Sequence, residues 1–160
     1  MTTKNFCSRI FLSTAVSALA FLPATAQESE KKVTAKAVPT VVITNFKAAY
    51  PKAVIRGYAS EIENGKQYYE IESREGTLHR DVLYNPDGTV AEIEESIGSN
   101  ALPPVALETI KAKYPKAAIV LAEKTTVGDK ITYEVKGRQG RKRFTMEFDA
   151  DGKMLPKTKE

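Results

Sequence analysis

The chain has 160 residues, with 24 lysines and arginines against 20 acids, one histidine, one cysteine and no tryptophan. That length suits one domain or two small halves sharing a core, and a lone cysteine with a lone histidine excludes both a disulfide framework and a zinc-type cluster. The formal charge of +4 includes Lys4 and Arg9 at the extreme N-terminus, so the remainder is near neutral and nucleic acid is not implied.

Met1 to Arg9 carries those two cations and no acid, and the 13 residues from Ile10 to Leu22 are apolar or small. Pro23-Ala24-Thr25-Ala26 then supplies small residues where a signal peptidase reads them. Residues 1–26 are therefore expected to be a secretory signal, cut between Ala26 and Gln27. The apolar run falls short of the about 20 residues that span a bilayer, so no stable membrane insertion is expected after cleavage. Cys7 precedes the apolar run and cannot serve as a lipoprotein cysteine. Residues 27–37 are polar, mixed in charge and free of aromatics, and read as a flexible leader.

From Pro39 the pattern changes. Val41, Val42, Phe46, Ala49 and Tyr50 recur at three- and four-residue spacing and put one apolar stripe on a helix. Pro51 stops it, because it disfavours the α conformation in Tyr50 and has no N–H to donate. Ala53 to Glu63 alternates as a strand, Asn64-Gly65 is a tight hairpin signal, and Lys66 to Arg74 is the return strand. There Gln67, Tyr69 and Ile71 share one face and Tyr68, Glu70 and Glu72 the other, which predicts one buried and one wet side. Glu75-Gly76 turns the chain into a third strand, Thr77 to Tyr84. Asn85-Pro86-Asp87-Gly88 is a turn, and Thr89 to Ile97 a fourth strand.

After Gly98-Ser99-Asn100 the programme restarts. Pro103 and Pro104 open a helix with Ala106, Leu107, Ile110 and Tyr114 on its stripe, and Pro115 stops it. Strands follow at Ala117 to Val127, Lys130 to Lys136 and Arg141 to Phe148, with turns at Gly128-Asp129, Gln139-Gly140 and Asp149-Ala150-Asp151-Gly152, and only a stub from Lys153 to Pro156. Tyr50-Pro51-Lys52-Ala53 returns as Tyr114-Pro115-Lys116-Ala117, 64 residues on, and at the same spacing Tyr69-Glu70 falls on Tyr133-Glu134, Gly76 on Gly140 and Asp87-Gly88 on Asp151-Gly152. The chain is an internal duplication, residues 38–99 and 100–160. The first copy carries 6 basic and 10 acidic side chains, the second 13 and 8. Such a split fits repeats that attract each other, or a partner with a two-signed surface.

Catalytic chemistry finds little support in these residues. His79 has no second histidine or cysteine to work with and is expected to face solvent. Glu70 and Glu134 sit in separate copies, as outward carboxylates rather than an acid–base pair. Asp149-Ala150-Asp151-Gly152 starts like a calcium loop, but its twelfth position is Glu160 with Pro156 between, so a tight turn is the better reading and neither metal nor cofactor is expected. The candidate partner-binding residues are Tyr58 and Tyr68, read as outward aromatics, with Glu70, His79, Glu134 and the basic cluster Arg138, Arg141 and Arg143.

The unit of helix, Tyr-Pro stop, strand, hairpin, Tyr-Tyr-Glu or Thr-Tyr-Glu and a strand closing on Asn/Asp-x-Asp-Gly resembles the PepSY-like domains of secreted bacterial proteins, over residues 38–155. The resemblance implies an α+β fold like that of the β-lactamase inhibitor protein: two tandem repeats, each a helix packed on a four-stranded antiparallel sheet. It also implies a non-catalytic module that docks a protein or peptide of the cell envelope on its sheet surface, inhibition of a hydrolase being one form of this. A small-ligand or ion-binding envelope sensor is the alternative. The mature chain lacks the cysteine bridges of the inhibitor, so the fold carries over and the target does not.

Overall fold

The computed structural model describes residues 29–156, so the expected signal and its cleavage site lie outside the described residues. Helix α1 (Thr40–Ala49) and strands β2 (Val54–Glu63), β3 (Lys66–Glu75), β4 (Leu78–Tyr84) and β5 (Val90–Ser96) make up the first copy; α2 (Pro104–Lys113), β6 (Ala118–Val127), β7 (Lys130–Gln139) and β8 (Lys142–Asp149) make up the second. Both helices end as their sequences require. Tyr50 donates its N–H to the Phe46 carbonyl at 2.8 Å, Tyr114 does the same to Ile110 at 2.8 Å, and the proline that follows ends the ladder. The first hairpin turns on Asn64 (φ 49°) and Gly65 (φ 76°), two left-handed residues in the pair that such a turn demands.

Two expectations need correction. The leader is not wholly free chain: Ser29–Lys32 forms a further strand, β1, antiparallel to β2 with Glu30 opposite Glu61. An edge strand recruits its neighbour through backbone N–H and C=O groups, which polar composition does not remove. Nor does each copy own a separate four-stranded sheet. The strands form one eight-stranded antiparallel sheet in the order β1 to β8, and the copies meet where β5 pairs with β6. The second copy has no full fourth strand among the described residues; Met154 makes a single bridge to Phe148, as the expected stub.

Cross-strand register puts both helices on the same side of that sheet. Under α1, Val42 and Phe46 pack with Ile71, Val82 and Tyr84; under α2, Ala106 and Ile110 pack with Ala122, Val135, Met146 and Phe148. Ile93 lies opposite Val82 on one side and Thr126 on the other, which carries the same face across the junction. The Asp-Gly turn of each copy backs onto its helix start. A Cβ on Gly88 (φ 86°) would lie 2.8 Å from Val41 and from Asn45, whose Nδ2 donates to the Gly88 carbonyl at 2.9 Å. Glycine is thus required there for both its conformation and its small size.

One duplicated slot has diverged. In the first copy the Arg80 guanidinium lies 4.1 Å over the Tyr50 ring and donates from Nε to Glu95 Oε1 at 2.8 Å. In the second, Phe144 takes the place of Arg80 and stacks on Tyr114 with centroids 3.9 Å apart and planes 3° off parallel. Gly137 lies opposite Phe144 and makes room for its ring, since a Cβ there would lie 2.3 Å from Cζ. Gly137→Ala is accordingly expected to cost about 2 kcal/mol, a Tm loss of roughly 8 °C in a thermal melt. Adding Phe144→Leu should recover part of that loss, and a single variant as stable as wild type would contradict the packing described.

Candidate functional site

Since both helices lie on one side, the other face of the sheet carries neither. Its side chains are set by the pleat, which sends successive residues to opposite faces and brings cross-strand partners within contact range. In one row Glu72 on β3, Asp81 on β4 and Glu94 on β5 stand directly opposite one another. In the next, Glu123 on β6, Glu134 on β7 and Glu147 on β8 do the same, with Ser96 of β5 beside Glu123. Like charges in directly opposed positions are destabilising in a sheet. The β5–β6 junction brings the two acidic rows side by side.

Lys136 Nζ lies 2.7 Å from Glu134 Oε1 and 3.7 Å from Glu123 Oε2. Burial, followed by the charges of Glu70, Glu94, Glu72 and Glu123, raises the Asp81 carboxyl to about 7. For Glu123, burial and then Glu94 and Glu134 outweigh the opposing Lys136 and raise it to about 7. Burial and then Glu134 push Glu147 upward as well. A face of this kind attracts cations and resists full ionisation. Toward the β1 edge, Glu30, Glu61 and Glu70 bring one carboxylate oxygen each within 4.8 Å of one another, a hard-oxygen donor set of the sort that calcium uses. Glu30 lies in the stretch read from sequence as leader, so its place beside Glu61 could not be found without the β1 pairing.

The family model described as "Putative beta-lactamase-inhibitor-like, PepSY-like" matches twice, over residues 24–91 and 67–156. The chain belongs to the PepSY-like family. A search of curated proteins finds no match. Among solved structures, the chain is similar to a BLIP-like protein from Bacteroides fragilis (19% identity, 74% of this chain and 84% of that one, TM-score 0.56). It is also similar to a DUF2874-family protein from Bacteroides ovatus (19% identity, 74% and 85%, TM-score 0.57). A third likeness is to a Bacteroides eggerthii structure described as one of the "putative periplasmic proteins" (14% identity, 74% and 86%, TM-score 0.60). At these identities the likeness is one of fold.

In this PepSY-like sheet the residues expected at the site divide. Tyr68, Glu70, His79, Glu134, Arg138 and Arg143 share the face opposite the helices, with Arg138 directly opposite Arg143 and Arg141 in the turn between their strands. Tyr58 does not join them. It pairs with Ile71 and packs against the core under α1, because the register shifts between Ile55 and Gly57 and reverses the alternation beyond. Glu70, expected as an outward strand carboxylate, is only 7% exposed between Ala59 and Leu83. Glu134 lies four strands from it, roughly 19 Å at normal strand spacing, beyond the separation of a glycosidase pair. His79 is exposed, as expected, and its backbone N–H donates to Ser96 Oγ at 2.8 Å. Asp149 Oδ1 accepts from the N–H groups of Asp151 and Lys153, which makes the second Asp-Gly segment a self-bonded turn.

A pH dependence follows from the raised carboxyls. Their folded values exceed the unfolded ones, so the penalty of ionising them is absent below about 4, grows as pH rises toward 7 and is complete above it. Thermal melts are therefore expected to show higher stability at pH 5.5 than at pH 8. Asp81→Asn with Glu123→Gln should raise stability at pH 8 by about 1 kcal/mol after solvent screening, roughly 4 °C, and flatten the profile. Identical pH profiles for variant and wild type would refute the assignment.

Proposed function

We propose that this protein is a non-catalytic binding module of the periplasm or cell exterior, which docks a cationic segment of a protein or peptide on the helix-free face of its sheet. The carrying observation is the pair of acidic rows, Glu72–Asp81–Glu94 and Glu123–Glu134–Glu147, set in direct cross-strand opposition. Like charges in direct opposition cost folding free energy, and a partner that supplies positive charge offsets that cost. Export rests on the signal-like residues 1–26 and on fold likeness to a structure described as periplasmic. The family description supports steric occupation of a hydrolase as one form of docking. The Glu30, Glu61 and Glu70 oxygens favour a second reading, a hard-cation sensor at the β1 edge.

Calorimetry with an extended Lys/Arg-rich 12-residue peptide is the test. Binding is expected at low salt and should weaken about tenfold on passing from 50 to 300 mM salt. The triple change Asp81→Asn, Glu94→Gln and Glu123→Gln should abolish it while the variant still melts cooperatively. Undiminished binding by that variant, or none by wild type, would overturn the proposal. Saturable heat from calcium chloride, lost in Glu61→Gln, would instead support the sensor.

A further inference from the structure

The duplication supplies an internal standard for a second surface, of opposite charge, at the far end of the sheet. In the first copy the outer edge of β4 is paired with β5: Arg80 faces Glu95, Asp81 faces Glu94, Val82 faces Ile93 and Leu83 faces Glu92. β8 holds the same place in the second copy. Among the described residues its outer side meets only the stub, where the Asp149 N–H donates to the Lys153 carbonyl at 2.9 Å and the Leu155 N–H to the Glu147 carbonyl at 2.8 Å. Those two bonds show which backbone groups of β8 point away from β7. They belong to Glu147 and Asp149, and by alternation to Thr145 and Arg143.

The side chains along this edge specify what can add to it. Phe144, Met146 and Phe148 are buried against α2, so an added strand finds an apolar shelf on the helix side. On the other face Thr145 stands where the first copy has Asp81, and Arg143 where it has His79, with Arg138 beside Arg143, and Arg141 and Lys142 at the turn. β5, Val90-Ala91-Glu92-Ile93-Glu94-Glu95-Ser96, is itself acidic and carries Ile93 on the core side. In the same register Glu94 would lie opposite Thr145 instead of Asp81, with Arg143 one pair further along the same face. The chain's own continuation lacks the pattern: Pro156 stands at the position of Glu92 and has no N–H, and Lys157 stands at that of Ile93.

We propose that the outer edge of β8, over Lys142–Met146, takes an extended acidic segment of a partner protein by antiparallel strand addition. Main-chain hydrogen bonds hold the segment, an apolar residue packs beside Met146, and flanking carboxylates meet Arg138, Arg141 and Arg143. This surface is separate from the acidic face proposed above, and its test is independent of that reading.

The test uses the full chain and a synthetic peptide spanning Thr89–Ile97 of this sequence as probe, read by calorimetry or fluorescence anisotropy. Saturable one-to-one binding is expected, about tenfold weaker for Arg143→Glu and lost for Thr145→Pro. That proline removes an outward N–H and leaves the β7 ladder whole, so the variant should keep its cooperative melt. Should it fail to fold, N-methylation of the peptide at Glu94, whose counterpart pairs with Thr145, must abolish binding to the wild-type protein. Binding that survives both Thr145→Pro and N-methylation would overturn the proposal. So would equal binding by a scrambled peptide of the same composition, or no binding at all.

Discussion

The ladder between β5 and β6 holds the two copies in one sheet. Ile93, Glu94, Glu95 and Ser96 face Thr126, Thr125, Lys124 and Glu123 in turn, and the Ile97 N–H extends the ladder to the Ala122 carbonyl at 2.8 Å. On the helix side the junction carries an ionic chain. Glu95 accepts from Arg80 and lies 3.4 Å from Lys124, so a carboxylate of the first copy binds a cation from each. Burial alone would raise Glu95; the hydrogen bonds and charges of Arg80 and Lys124 hold it below the ordinary range. On the opposite face the same ladder sets acid beside acid. The junction thus stabilises on one side what it strains on the other.

That asymmetry gives the sheet its division of labour. Helices bury one side through two similar cores and leave the other side to side-chain chemistry. Divergence between the copies then acts on slots whose backbone is fixed. The Arg80 slot under Tyr50 becomes Phe144 under Tyr114, with Gly137 opening the space that the ring needs. Asp81 becomes Thr145 and His79 becomes Arg143, so the face opposite the helices runs from acidic, across the rows of both copies, to basic at its far corner. The net charge of +4 conceals this gradient entirely.

Much of the scaffold is legible in the sequence because it is written in turns. Tyr-Pro stops, Asn64-Gly65 and the two Asp-Gly turns fix where elements end, and the 64-residue period doubles each signal. Facing is less legible, since it depends on register. The shift between Ile55 and Gly57 sends Tyr58 into the core where strict alternation points it outward. Pairing is least legible of all. Nothing local to Ser29–Lys32 announces a strand, because its partner is the backbone edge of β2; nothing local to β5 or β6 says that they meet rather than close two separate sheets. In the sequence the acidic face is legible only as scattered carboxylates. Their cross-strand opposition is a property of the pairing.

Native-state amide hydrogen exchange across the β5–β6 junction tests that pairing most directly. If the copies form one sheet, the junction amides in Ile93–Ser96 and Glu123–Thr126 should open with the same free energy as the interior amides of β3 and β7, in one cooperative unit. Exchange at the junction at the rate of a frayed edge, while β3 and β7 stay protected, would contradict it.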